Sequence, residues 1–79
     1  MTTIEQYNQA FIETFEVEET KLQGLTYQSV STWDSVGHMG LIAALEEVFE
    51  IMMDTDDIID LSSYEKGKEI LAKNYDIVF

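Results

Sequence analysis

Three apolar stripes at helical spacing, each preceded by a capping residue, constrain this chain more than any other feature. Ile4, Tyr7, Phe11 and Phe15 recur at i, i+3, i+7 and i+11, one face of a helix ending near Glu16. Thr3 followed by Gln6 is a capping-box pattern for its start. Asp34 suits the N-cap of a second helix running to about Glu50. Ser62 with Glu65 opens a last helix that reaches about Asn74, with Tyr64, Gly67, Leu71 and Tyr75 as its inner stripe and Ile70 at the border. Between the first two helices lies a connection of roughly eighteen residues, Val17 to Asp34, unusually long unless it packs on its own side chains or serves a function. Leu22, Leu25, Tyr27, Val30 and Trp33 give it apolar anchors. The connector Ile51 to Leu61 is expected to hold a short helix over Asp56 to Asp60, and the closing Asp76-Ile77-Val78-Phe79 to fray or pack loosely. The expectation is all-α: one domain over residues 1–79, a small three-to-four-helix bundle with a long first loop.

Length and charge narrow the function classes. A chain of 79 residues buries only about 60–65% of its unfolded surface. Without cysteine it has neither disulfides nor thiolate metal ligands. Four lysines, no arginine and sixteen acids give a net charge of -12. Such a surface repels nucleic acid and anionic membrane and attracts basic protein patches. Seven acids fall between Glu46 and Asp60 with no lysine among them, a clustering that favours steering toward a basic partner. No apolar run approaches a membrane span, and MTTIEQYNQ lacks the basic and apolar regions of a secretory leader. A cytoplasmic monomer is the expectation.

The second helix has two faces. At 100° per residue, Leu41, Leu45, Val48 and Phe49 gather on the core side, with Ile42 at the edge. Ser35, Val36, Met39, Ala43, Glu46, Glu47 and Glu50 gather on the other. That second face begins with a hydroxyl, continues with modest apolar groups and ends in carboxylates, the make-up of a docking surface with a charged rim. Gly37 and Gly40 cost the helix up to about 1 kcal/mol each relative to alanine. Two readings of them stay open: tolerance through packing, or close approach of a partner to the backbone.

The chemistry of this face is limited. His38, three residues after Ser35, is within reach of it on a helix surface. A nucleophile would also need an orienting group, an oxyanion hole and a pocket, and no G-x-S-x-G elbow is present. His38 leans toward the core side, as a partly buried structural histidine. Asp54-Thr55-Asp56-Asp57 begins like a calcium loop, but Ile58 and Ile59 stand where ligand and glycine are required. One histidine leaves nothing for zinc. An anionic face does not suit an amphipathic membrane helix. What remains is Ser35 as an acceptor, exposed in a first helical turn whose free N–H groups favour a phosphate nearby. Asp34 opposes such a phosphate electrostatically, but is placed to help orient a metal-bound donor brought by another enzyme.

The run from Trp33 to Leu71, WDSVGHMGLIAALEEVFEIMMDTDDIIDLSSYEKGKEIL, resembles the acyl carrier protein family over about half the chain. In that family a D-S-L/V motif opens the second helix, as Asp34-Ser35-Val36 does here, and Leu45-Glu46-Glu47, Phe49 and Ser63-Tyr64 stand at matching places. The resemblance implies that Ser35 accepts 4'-phosphopantetheine from coenzyme A through a phosphopantetheinyl transferase. The thiol so acquired would carry an acyl or aminoacyl group as a thioester, with no catalysis by the chain itself. Asp34 would belong to the cofactor site. Val36, Met39, Ala43, Glu46, Glu47 and Glu50 would meet basic patches on loading and transferring enzymes, and the acyl chain would slip between helices near Met39, Ile42 and Ile59. Typical fatty-acid-synthesis carriers have acids where this chain has Gly37-His38 and Gly40, so a specialised pathway, polyketide-like, aminoacyl or sugar-modifying, is implied as readily as housekeeping fatty acid synthesis. The alternative from another class is an unmodified acidic interaction module or nucleic-acid mimic.

Overall fold

Capping decides where the first helix begins. Helix α1 (Thr3–Phe15) is capped by Thr2, whose Oγ1 accepts from the Glu5 N–H at 3.3 Å while Glu5 Oε1 accepts from the Thr2 N–H at 2.9 Å. The box is therefore Thr2/Glu5 and not Thr3/Gln6. A carboxylate is a stronger acceptor than an amide, and the Thr2 N–H holds the Glu5 carboxyl below its usual range. The computed structural model describes residues 1–79 and adds α2 (Ser35–Phe49), α3 (Thr55–Asp60) and α4 (Tyr64–Asn74), with a single 3-10 turn, Glu19–Lys21, in the long loop. The fold is a small all-α bundle, and no helix is long and apolar enough to cross a membrane.

α1 packs on α2, and its Tyr7, Phe11 and Phe15 are all buried, with Phe15 stacked on Trp33 at 4.8 Å and Tyr7 against Tyr64 of α4 at 5.2 Å. On α2 the buried residues are Leu41, Ile42 and Leu45. Val48 and Phe49 are only half-buried, whereas Ile42, expected at the edge, is 1% exposed. The inward arc is wider than the stripe because Met53 and Leu61 close the same core after α2. From the long loop, Leu22, Leu25 and Trp33 are buried and Val30 partly so, but Tyr27 is not. The loop lies down by pairing with the α3–α4 connector: Tyr27 N–H donates to Ser62 O at 2.8 Å and Tyr64 N–H to Leu25 O at 2.9 Å, around an antiparallel bridge between Thr26 and Ser63. That pairing commits Ser62, so Ser63 caps α4, its Oγ accepting from the Lys66 N–H at 2.9 Å.

Tyr75 sits past the inner stripe, as the C-cap of α4. Its hydroxyl donates to Asp57 Oδ2 at 2.8 Å and accepts from the Asp54 N–H at 2.7 Å, strapping α3 to the end of α4. The tail does not simply fray. Asp76 takes a left-handed turn, Ile77 N–H returns to Leu71 O at 3.1 Å, and the Phe79 ring lies 5.1 Å from Tyr7.

The two α2 glycines differ. A Cβ on Gly37 would drive into the Thr32 carbonyl and meet Phe15 Cε1 at 3.3 Å, so the loop-to-helix junction requires glycine there. At Gly40 only Thr14 Cγ2, at 3.5 Å, is in ordinary contact. A Cβ at either position would thus point at α1 or the loop, although Gly37 is half-buried and Gly40 is exposed. Gly37→Ala is expected to cost about 1–3 kcal/mol. Gly40→Ala is expected to be neutral or to stabilise by up to ~1 kcal/mol. Urea denaturation of both variants checks the pair, and equal effects would refute the assignment.

Tyr7 donates to Tyr64 O at 2.6 Å, and burial, with Tyr64 and Glu65 nearby, raises its phenol far above the usual 10.0. The folded state therefore holds this proton more tightly than the unfolded chain does. The associated stability is complete below pH 10 and is lost as pH rises toward the folded value. Unfolding free energy should fall above pH 10 with a slope approaching ~1.4 kcal/mol per pH unit from this phenol. Tyr7→Phe should be less stable at neutral pH yet show a shallower alkaline slope, measured by denaturant titration at stepped pH.

Candidate functional site

Ser35 is the first residue of α2 and is exposed. Asp34 before it is extended (φ -108, ψ -167), and its Oδ1 accepts from the Gly37 N–H at 2.8 Å. One carboxylate oxygen is thus committed to the cap, which fixes where the helix starts and turns the Ser35 hydroxyl outward. Ser35 and Val36 N–H lie too early in the helix to have intrahelical acceptors.

Behind Ser35 stands Trp33, completely buried. Its indole stacks on Phe15 at 4.8 Å, and its Nε1–H donates to His38 Nδ1 at 3.0 Å, the indole and imidazole rings lying side by side and nearly parallel with centroids 6.2 Å apart. An indole N–H can only donate, so Nδ1 is the acceptor and the ring proton sits on Nε2, which reaches Ile58 O at 2.7 Å. Both imidazole nitrogens are spent on structure. His38 is half-buried, as its position suggested, and is not free to act as a base for Ser35.

The neighbour that does reach Ser35 is Tyr27, whose phenol lies 3.1 Å from Ser35 Oγ. Tyr27 is expected among the loop's apolar anchors on the core, yet it is 36% exposed. Eight residues separate it from Ser35, and no spacing rule links a loop tyrosine to a helix start. The Thr26–Ser63 bridge and the return of the Gln28 N–H to Trp33 O at 2.9 Å together bring them into contact. A groove of about 370 Å³ continues from this pair, lined by Tyr27, Ser35, Met39, Ile58, Ile59 and Leu61, with His38 and Ser62 at its sides. Met39 and Ile59 line it as expected. Ile42 does not, being turned into the core, and Ile58 and Leu61 take its place.

The remaining residues of the expected docking face divide. Val36 is 83% exposed and Met39 54%, with Ile59 beside the groove at 71%. Ala43 and Glu47 are exposed as well. Glu46 is only half-exposed, because its Oε2 accepts from the Met53 N–H at 2.9 Å and so holds the α2–α3 connector. Glu50 is exposed but takes the left-handed conformation (φ 53) that ends α2. The acids of α3 are partly engaged too, Asp57 by Tyr75 and Asn74.

No family model, no curated protein and no solved structure matches this chain.

His38→Ala leaves the Trp33 N–H buried and unpaired, a cost of about 1–3 kcal/mol. The expected result is lower stability in urea with unchanged helical content by circular dichroism. Native-like stability in urea would contradict the structural role given to His38.

Proposed function

We propose that this protein is an acyl carrier: Ser35 bears 4'-phosphopantetheine, and the chain presents a thioester-bound acyl or aminoacyl group to partner enzymes. The observation that carries the reading is the exposed Ser35 hydroxyl on the first residue of an aspartate-capped helix, beside an apolar groove. The residues present fit the group. The hydroxyl is exposed, the first-turn N–H groups of Ser35 and Val36 suit a phosphate oxygen, and the groove offers apolar cover to whatever extends from it. When bound, the group supplies the thiol that this cysteine-free chain lacks.

The chain's own residues hold and present. Asp34 fixes the helix start, and Trp33 with His38 keeps that start rigid against α1 and α3. Val36, Met39 and Ala43 give a partner apolar contact, and Glu47 and Glu50 meet its Arg or Lys side chains at the rim. Glu46 contributes less than the sequence suggested, with one oxygen held by Met53. Docking of this kind is steered by charge and weakened by salt, while tethering raises the local concentration of cargo at each enzyme. The partners proposed are a phosphopantetheinyl transferase and loading or transferring enzymes with basic patches, encountered by a monomer in the cytoplasm.

The test is intact-mass measurement after incubation with coenzyme A and a broad-specificity phosphopantetheinyl transferase. The expected result is a gain of one phosphopantetheinyl group in the native chain and none in Ser35→Ala. A folded native protein that gains no mass beside an active control carrier overturns the reading and leaves the unmodified acidic interaction module in its place.

A further inference from the structure

The groove beside Ser35 opens at a tyrosine whose placement is fixed by several backbone and side-chain hydrogen bonds. Thr26 is paired with Ser63, the Tyr27 N–H is held by Ser62 O at 2.8 Å, and the next residue, Gln28, closes back on Trp33 O at 2.9 Å from a left-handed turn (φ 66). The Ser29 side chain locks the same turn, accepting from the Thr26 N–H at 3.0 Å and donating to Thr26 O at 2.6 Å. The ring stands edge-on to Trp33 at 6.4 Å and to His38 at 5.7 Å, both of which are fixed by their own hydrogen bond. A tyrosine needed only for packing could point its hydroxyl at water. This one, 36% exposed, points it at Ser35 Oγ, 3.1 Å away.

In the unmodified chain either oxygen of this pair can donate. Esterification forms the Ser35 Oγ–P bond, breaks the pyrophosphate P–O bond of coenzyme A with release of adenosine 3',5'-bisphosphate, and removes the hydroxyl hydrogen, so afterwards only the phenol can. The best acceptors then in reach are the charged oxygens of the phosphodiester, which take stronger hydrogen bonds than the ester oxygen. Asp34, the adjacent carboxylate, can only repel that charge, and no lysine is adjacent to it in the chain. A neutral donor fixed on the groove side of Ser35 would bias the direction in which an attached chain leaves.

Resting on the carrier reading of Ser35, we propose that Tyr27 is a positioning residue: its phenol donates to the phosphodiester formed at Ser35 and directs the root of the attached arm toward the groove of Met39, Ile58, Ile59 and Leu61. Phenylalanine would keep the ring packing and lose the donor alone.

The experiment compares native and Tyr27→Phe proteins, each loaded from coenzyme A and verified by intact mass, using phosphorus NMR and cross-relaxation between the arm's methyl groups and those of Met39 and Ile59. Both proteins should load fully and melt alike. In Tyr27→Phe the phosphorus resonance should move and its relaxation report a freer group, while the methyl contacts fall roughly two- to tenfold, the range set by one lost neutral hydrogen bond. A second measurement needs no variant: the Tyr27 Cζ carbon resonance of the native protein should shift on loading. Identical phosphorus resonances and methyl contacts in both proteins, or a Tyr27 Cζ resonance unmoved by loading, overturn the role of Tyr27 and leave the carrier reading standing. No mass gain in the native protein overturns the carrier reading, and this inference with it.

Discussion

The buried indole of Trp33 is the contact on which the rest of the molecule depends. It is wholly inside, stacked on Phe15 of α1 and side by side with His38 of α2, with Phe11 meeting it edge-on at 5.6 Å. Its only polar atom is satisfied by His38, whose other nitrogen holds the Ile58 carbonyl of α3. One side chain thus ties α1, α2 and α3 together through apolar stacking and a relay of two hydrogen bonds. A small core gains much from this, since a large aromatic contributes burial and specific geometry at once. Trp33 is also the residue before the Asp34 cap, so the most firmly held point of the core lies next to the most exposed point of interest.

That adjacency explains how a bundle of this size holds one surface hydroxyl in a defined setting. Ser35 sits on an exposed first turn, yet the residues just before it are anchored: Thr32 donates its hydroxyl to Phe15 O at 2.8 Å, Trp33 is buried, and Asp34 caps the helix. Gly37 permits the close pass of the Thr32 carbonyl that this path demands. The long loop, which might have been a slack tether, closes against the α3–α4 connector and delivers Tyr27 to the same spot. A mobile cargo group would therefore hang from a rigid root.

Charge is distributed to match. Lys66 and Lys68 on α4 lie within 3.7 Å and 3.3 Å of Glu69 and Glu65, surface pairs that add little stability. The exposed apolar groups Val36, Met39 and Ile59 border the groove, and the free carboxylates Glu47 and Glu50 lie farther along α2. An approaching basic surface would feel the acids at long range and reach the apolar patch on contact, the usual division between steering and affinity.

By itself the sequence determined the helices, because periodic apolar residues and capping side chains act over three or four positions and need no knowledge of the fold. The second helix came out nearly to the residue, Asp34 fell on its cap, Ser35 on its first turn, and Val36, Met39 and Glu47 on its open face. Where two capping side chains competed, at Thr2 or Thr3 and at Ser62 or Ser63, local pattern chose wrongly, since the choice rested on acceptor strength in one case and on a distant backbone pairing in the other. The tertiary structure alone decided that Tyr27 meets Ser35, that Ile58 and Leu61 line the groove while Ile42 does not, and that Glu46 serves the α2–α3 connector. Each of these joins residues from separate elements, and such meetings are fixed by how the elements pack and by which backbone groups need partners, neither of which is written in the spacing of one segment.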